Sequence, residues 1–152
     1  MKIKYLADEK SCIPKVVNWL YEEWGGNYEY GREVWKKRVN NRLNKGKIPV
    51  TFVALMESDV VGTASLIKHD MDIKKNLTPW LADVYVPPNY RGKKIATKLV
   101  KRVLAEANQI NISKVYLYTR QAAGFYRKLN WETIGKCNYY GAEVTLMEFN
   151  LN

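Results

Sequence analysis

The chain has 152 residues, of which 47% are hydrophobic, so it is long enough to bury the core of one ordinary domain. We therefore expect residues 1–152 to form a single domain. The formal net charge of +10 permits binding to any polyanion, including RNA, DNA and a polyphosphate cofactor, and on its own it does not choose between them.

Membrane proteins, disulfide frameworks and zinc sites are disfavoured by the sequence. No apolar run approaches 18 residues, and the N-terminus lacks the apolar region of a signal peptide, so we expect a cytoplasmic protein with no membrane partner. The two cysteines, Cys12 and Cys137, lie far apart and form no C-x-x-C pattern. The single histidine, His69, excludes a two-histidine zinc site, and we expect no metal.

Hydrophobic spacing predicts a strand and two helices at the start of the chain. Lys2 to Leu6 alternates as a strand, a helical segment begins at Ser11, and Tyr28 to Leu43 resumes the helical period after a Gly-Gly break. The residues of the second helix that are predicted to face the core are Val34, Trp35, Val39 and Leu43. Those predicted to face outward are Lys36, Lys37, Arg38 and Arg42.

The middle of the chain predicts a meander of three strands. Pro49 to Met56 and Val60 to Ile67 are separated by three residues, which is the spacing of a β-hairpin. Gly62, inside the second strand, indicates either a bulge or a close packing contact. Lys68 to Thr78 is polar and has no period, so it is predicted to be a loop. A third strand at Leu81 to Val86 ends at two prolines, which cannot donate to a sheet ladder.

The stretch after this strand carries the strongest functional signal. Apolar residues recur at helical spacing from Ile95, so a helix begins just after Gly92. Residues 91–102 hold six cations and no acid, although a helix N-terminus already carries about +0.5 charge. Free backbone N–H groups, a glycine and clustered cations suit a phosphate or pyrophosphate, while the alternative is a solvated basic face. Neither G-x-x-x-x-G-K-[ST] nor G-x-G-x-x-G occurs, which disfavours P-loop and dinucleotide-binding proteins.

The final third of the chain predicts a parallel crossover. A helix that joins two strands of one sheet makes them parallel, so the strands at 81–86 and 115–119 are expected side by side. Ligands of open α/β sheets bind at the carboxyl ends of such strands. A short helix at Gln121 to Leu129 and two strands, Trp131 to Cys137 and Val144 to Asn150, complete the prediction.

Two motifs resemble those of the GCN5-related N-acetyltransferases, the GNAT family. Motif A of this family is Arg/Gln-x-x-Gly-x-Gly/Ala after a strand. It is similar to the run Val84-Tyr85-Val86-Pro87 followed by Arg91-Gly92-Lys93-Lys94-Ile95-Ala96. Ala122 to Trp131 is similar to motif B, A-x-x-F/L-Y-x-x-x-G-F, with Asn130-Trp131 in place of Gly-Phe. Lys94 stands where the family usually has its middle glycine, so it either adds a cation for the phosphates or weakens binding. We expect retained affinity.

The resemblance implies an α+β fold on a mixed sheet, mostly antiparallel with one splayed parallel strand pair and about four flanking helices. It also implies transfer of the acetyl group of acetyl-CoA to a primary amine, without a metal. Direct attack in a ternary complex is expected, since no cysteine lies within either motif. The residues implied to bind acetyl-CoA are Val84, Tyr85, Val86, Arg91, Gly92, Lys93, Lys94, Ile95, Ala96, Thr97, Phe125 and Tyr126.

The same resemblance implies that Tyr126 protonates the leaving thiolate; the alternative is an aromatic core residue. Asp83 interrupts an apolar strand, where a carboxylate must face a cleft or be paired, so it is either the catalytic base or the partner of a surface lysine. Trp24, Tyr28 and Asp83 are expected to bind the acceptor, since aromatic and acidic groups suit a cationic amine. That acceptor is a small amine, an antibiotic or a peptide or protein amino group.

Two other functions and two oligomeric states stay open. Charge and aromatic content would also suit a basic nucleic-acid-binding domain, although no RNP, helix-turn-helix or zinc motif is present to favour nucleic acid as a partner. An acyl-CoA-binding sensor with weak catalysis is motivated by Lys94. An edge strand near the C-terminus could pair in a homodimer, so the protein is a monomer or a homodimer.

Overall fold

The computed structural model describes residues 1–25 and 31–152. Their strands are β1 (Lys2–Tyr5), β2 (Val50–Met56), β3 (Asp59–Ile67), β4 (Trp80–Tyr85), β5 (Lys114–Thr119), β6 (Glu132–Tyr139) and β7 (Ala142–Asn150). Their helices are α1 (Ile13–Leu20), α2 (Arg32–Asn40), α3 (Ile95–Gln109) and α4 (Ala123–Lys128). A single π-helical turn, Tyr21–Gly25, follows α1. Each predicted element is present, with bounds that differ by a few residues.

The described strands form one seven-stranded sheet in the order β1-β2-β3-β4-β5-β7-β6. Neighbouring strands are antiparallel except for β4 and β5, which are parallel and are joined by α3. This arrangement confirms the expected α+β fold with one parallel pair in a mostly antiparallel sheet. Within the described ranges, every helix is too short or too polar to cross a bilayer.

Helices cover both faces of the sheet because successive side chains of a strand point to opposite faces. Phe52 packs into the large core under α3, whereas its neighbour Val53 packs with the cluster under α1 and α2. Helix α3 lies close to β3 at Gly62, where a Cβ atom would be 2.9 Å from Leu99 Cδ1 and 3.1 Å from Ile95 Cγ2. The register with β2 also shifts beside this glycine, since Gly62 lies opposite Ala54 and Val60 opposite Leu55. Both the close contact and the bulge predicted for Gly62 are therefore confirmed.

Two predictions for the second helix are wrong. Val34 is 40% exposed, because it lies about 100° around the helix from Trp35, and Trp35 and Val39 alone define the buried stripe. Arg42 was expected to face solvent but is only 7% exposed. Helix α2 ends at Asn40, so the direction of the Arg42 side chain is not set by the helical period. The predicted helical residues 28–30 lie outside the described ranges.

Strand β4 departs from β5 and is distorted at its centre. The register of the parallel pair consists of Trp80 opposite Tyr116, so beyond this point the two strands diverge. On its other side, the register with β3 shifts between Ser65–Ala82 and Thr63–Tyr85. The extra residue in β4 is accommodated by Asp83, whose φ of +56° is left-handed. A bulge of this kind bends the strand and re-aims its side chains.

Candidate active site

A cavity of about 440 Å³ opens where β4 and β5 diverge. Its wall is built from both strands, from the segment leading into α4, from α2 and from the end of the π-helical turn. The predicted site residues that line it are Trp24, Asp83, Val84 and Tyr126. The structure therefore brings together the proposed acid, the proposed base and one of the two expected acceptor-binding aromatics. The other aromatic, Tyr28, lies outside the described residues.

The basic turn lies at the end of the same strand. Val84 reaches the cavity wall, and the Arg91 Nε group donates a hydrogen bond of 2.8 Å to the carbonyl oxygen of Val86, which ties the turn to β4. Lys94 adopts a left-handed conformation, φ +64°, immediately before the first residue of α3. The first N–H groups of this helix have no partner within the helix, as at any helix N-terminus. Their direction and dipole suit an anion.

The cations of this segment are divided between two functions. Lys93, Lys94 and Lys98 are exposed at the helix start, beside the exposed Gly92, where they are accessible to a ligand. Arg102 instead pairs with the buried Glu106 at 3.1 Å and lies 4.4 Å from the ring centroid of Phe52. The positive charge available to an anion is therefore smaller than the six cations suggest.

The remaining predicted cofactor residues lie along the strand and in the two helices. Tyr85 packs on Trp19, with ring centroids 5.5 Å apart, and Val86 is buried. Ile95, the first residue of α3, is buried in the core, and Phe125 packs partly buried against that core. Ala96 and Thr97 are half-buried in the first turn of α3. Their side chains do not line the cavity, so a function for these residues would depend on backbone groups or packing.

Tyr126 is a buried residue of α4 that still reaches the cavity. It is 8% exposed, and its ring packs at right angles to those of Phe125 and Trp131, with centroids 5.0 Å and 5.9 Å away. Burial raises the pKa of the Tyr126 phenol above its usual range. The hydroxyl therefore stays protonated at neutral pH and can act as a hydrogen-bond donor.

Asp83 is paired, and its partner is an arginine rather than the lysine considered from the sequence. Arg42 Nη1 donates to Asp83 Oδ2 at 2.5 Å, and the two side chains are 8% and 11% exposed. The sequence could not indicate this pair, because Arg42 follows the end of α2 and its direction depends on the turn there.

Asp70 is a site residue that the sequence analysis missed. It lies in the loop between β3 and β4, is half-buried and lines the same cavity as Asp83 and Tyr126. Desolvation raises the pKa of Asp70 to about 7; the Asp83 carboxylate adds to the rise, and Arg42 and Arg38 oppose it. One local signal was available: the fully buried Met71 is an apolar residue within a polar loop, which indicates that the loop is anchored to the core.

Aromatic side chains form the rest of the wall. Trp24, Trp35, Tyr118, Tyr139 and Tyr140 line the cavity, and Tyr139 packs on both other tyrosines at centroid distances of 5.3 Å and 4.8 Å. The aromatic faces and the carboxylates are groups that bind organic cations, and Arg38, Arg42 and Arg120 on the same wall balance the carboxylate charges. In the described part of the chain, no three His, Cys, Asp or Glu side chains are grouped closely enough to hold a metal ion.

Comparisons with known proteins give one consistent result for the fold. An aminoglycoside 6'-N-acetyltransferase complexed with coenzyme A superposes with a TM-score of 0.78 at 18% identity, over 99% of this chain and 97% of that one. A ribosomal-protein-alanine N-acetyltransferase from Brucella melitensis gives 0.76 at 19% identity, over 99% and 100%. A putative acetyltransferase from Salmonella typhimurium, solved with acetyl-CoA, gives 0.76 at 16% identity, over 100% and 94%.

The sequence itself also matches one family model. A search of curated proteins returns no significant match. The model of the acetyltransferase (GNAT) family matches residues 13–131, which is more than half of the chain and includes the basic turn, both diverging strands and Tyr126. This chain therefore belongs to the GNAT family of acetyltransferases.

Proposed function

We propose that residues 1–152 form one domain that transfers the acetyl group of acetyl-CoA to a primary amine. The observation that carries the proposal is the cavity between β4 and β5, which has the buried Tyr126 on one side and carboxylates on another. We propose direct attack in a ternary complex, because no cysteine is found among the described residues that line this cavity and a covalent acyl-enzyme would need such a nucleophile.

The pyrophosphate of acetyl-CoA binds, in this proposal, at the N-terminus of α3. The backbone N–H groups after Lys94 donate to its oxygens, and the exposed lysines of the turn add positive charge. The pantetheine arm then runs along the backbone of Val84 to Val86 into the opening between the strands. Structural relatives solved with coenzyme A or acetyl-CoA support this choice of cosubstrate.

Tyr126 is proposed to donate its proton to the departing sulfur. A thiolate is a good leaving group in water but a costly anion in a partly desolvated cavity, where a nearby hydroxyl donor stabilises it. The raised pKa of Tyr126 keeps the donor protonated before the reaction. The same desolvation raises the proton affinity of the sulfur, and this rise offsets the raised pKa of the phenol in the transfer.

The acceptor must lose a proton before it can attack. A primary amine with a pKa of about 10.4 is mostly protonated at pH 7, and exposing its lone pair costs about 4–5 kcal/mol at 1.36 kcal/mol per unit. The role of Asp83 as the catalytic base stays a prediction. Arg42 opposes this role, because a proton on the Asp83 oxygen that Arg42 binds would weaken the ion pair. We therefore assign Asp83 mainly to binding and orienting the cationic acceptor.

The acceptor class follows from the cavity wall. Aromatic faces and carboxylates recognise an ammonium group, and about 440 Å³ is in the range of small-molecule sites. A small amine or an amine-bearing antibiotic fits such a cavity whole, whereas a peptide or protein would insert its amino group alone. Relatives described as aminoglycoside and ribosomal-protein-alanine acetyltransferases make both kinds of acceptor candidates.

An acceptor screen tests the proposed function. The purified protein is incubated with acetyl-CoA and panels of polyamines, aminoglycosides and peptides with free N-termini, and release of free thiol is recorded. We expect release that depends on one class of amine, and a rise in melting temperature with acetyl-CoA alone. A nucleic-acid-binding domain would instead be stabilised by RNA or DNA with a steep salt dependence and would ignore acetyl-CoA. A sensor would bind acetyl-CoA and release no thiol with any amine.

A further inference from the structure

Asp70 faces the proposed reaction site from a third direction. It follows β3, whereas Asp83 belongs to β4 and Tyr126 to α4, and all three side chains line one cavity. We propose that Asp70 is the base that accepts the proton of the attacking amine, a role that rests on the proposed acetyl transfer. Its partly exposed surface gives the proton a route to solvent.

The two aspartates differ in what already occupies their oxygens. Asp83 Oδ2 holds the Arg42 guanidinium at 2.5 Å in a nearly buried pair. Asp70 forms no hydrogen bond or ion pair within residues 1–25 and 31–152, and its environment acts on it through desolvation and longer-range charge. A carboxylate without a bound donor can take a proton without breaking an existing contact. By this criterion Asp70 is the better base.

The charges around Asp70 hold its pKa near the value that a general base needs. Desolvation and the Asp83 carboxylate raise its pKa, and Arg42 and Arg38 lower it, with a resulting pKa of about 7. The other titratable or charged residues on the cavity wall are Glu23, Tyr118, Arg120, Tyr126, Tyr139 and Tyr140. A general base is most effective when its pKa lies near the working pH, because it is then both ionised and basic.

The loop that carries Asp70 is held on the core, so its side chain has a defined position. The adjacent Met71 is fully buried and belongs to one packed cluster with Trp80 and Tyr139. Thr78 Oγ1 donates to the carbonyl oxygen of Lys68 at 2.6 Å and closes the base of the loop. A catalytic group needs such support from packing and hydrogen bonds to be in place before the substrate binds.

The protons balance in the proposed reaction. The acceptor binds as an ammonium ion, and the Asp70 carboxylate takes one proton from it and passes that proton to solvent. The nitrogen attacks the thioester carbon, so a C–N bond forms and the C–S bond breaks. The sulfur receives the proton of Tyr126, and the second proton lost by the nitrogen restores the tyrosine. Each turnover therefore yields an amide, free coenzyme A and one proton.

The pH dependence of kcat/KM in Asp70→Asn and Asp83→Asn tests the proposal, with the acceptor found in the screen. In the wild type, kcat/KM should fall below about pH 7 as Asp70 becomes protonated. Asp70→Asn should lower kcat/KM about 10²- to 10³-fold at pH 7.5 and abolish this acidic limb. Its deficit should shrink toward pH 10, where the free amine needs no base. Asp83→Asn should keep the limb but shift it to lower pH, because a charge that raises the pKa of Asp70 is removed.

Two controls separate a catalytic loss from a structural one. Asp70→Glu keeps a carboxylate and should retain an acidic limb, and an unchanged melting shift with acetyl-CoA shows that Asp70→Asn is folded. An active wild type with an unaltered limb in Asp70→Asn would overturn the assignment, as would loss of the limb in Asp83→Asn alone. No thiol release by the wild type with any amine would instead overturn the proposed function itself.

Discussion

The ion pair between Arg42 and Asp83 is expected to stabilise the fold by an amount that a double-mutant cycle can measure. With 8% and 11% exposure, both charges are largely removed from water, so removal of one partner leaves the other uncompensated. Such losses cost about 3–5 kcal/mol in buried pairs. The loss of unfolding free energy in Asp83→Asn should lie near the lower end of this range, at about 3 kcal/mol. Asparagine still accepts a hydrogen bond, and it tolerates the left-handed backbone at φ +56°.

The assay is urea unfolding of the wild type, Asp83→Asn, Arg42→Met and the double variant, with melting temperatures alongside. For a chain of this size, 3 kcal/mol corresponds to about 6–12 °C. We expect the double variant to lose about 1–3 kcal/mol less than the sum of the single losses, since neither charge then remains alone. Losses below 1 kcal/mol in both single variants, as for surface pairs, or strictly additive losses would refute the reasoning.

Three further predictions concern the tyrosine, the helix–sheet contact and the basic turn. Tyr126→Phe keeps the buried ring, so the melting temperature and the affinity for acetyl-CoA should change little. Because the proton donor is lost, kcat in the thiol-release assay should fall about 10²- to 10⁴-fold. Unchanged turnover would remove Tyr126 from the mechanism. Gly62→Ala places a Cβ 2.9 Å from Leu99 Cδ1 and should destabilise by about 1–3 kcal/mol in urea, whereas Gly135→Ala, with no atom within 4 Å, should stay within about 0.5 kcal/mol. A lysine in the left-handed backbone conformation costs about 1–2 kcal/mol, and Lys94→Gly should relieve part of this cost. The affinity for acetyl-CoA, measured by calorimetry, should stay within tenfold of the wild type. Binding that is tenfold tighter would mean that the Lys94 side chain obstructs the phosphates.

The regular elements could be predicted from the sequence because their apolar residues form short runs or recur at spacings that belong to one kind of element. Strands β2 and β3 are apolar runs that are buried on both faces, and α3 has one apolar stripe that faces the core. The parallel relation of β4 and β5 followed from the helix between them, and the basic turn from its charges. Each of these features is local in sequence, or depends on a connection whose geometry has a single common solution.

The parts of the candidate site that could not be predicted depend on chain directions outside regular elements. Arg42 leaves a helix end, and Asp70 belongs to a loop without a period, so no spacing rule says where their side chains point. Both positions nevertheless depend on contacts that are distant in sequence: Arg42 pairs with Asp83, and Met71, next to Asp70, is buried in a cluster with Tyr139 and Val144. A pattern of one residue type at one spacing cannot encode such contacts.

The two ends of the proposed site share one physical feature, a residue in the left-handed backbone region. Asp83, at φ +56°, forms the bulge at the cavity, and Lys94, at φ +64°, begins the helix at the basic turn. Residues held in this region cost about 1–3 kcal/mol, which the rest of the fold must offset. Aspartate tolerates the conformation well, but lysine has no such tendency, and glycine would adopt it without strain. Lys94 is exposed to solvent and belongs to none of the core clusters. The proposed anion site at the N-terminus of α3 would account for this strained, exposed cation, which the stability of the fold does not require.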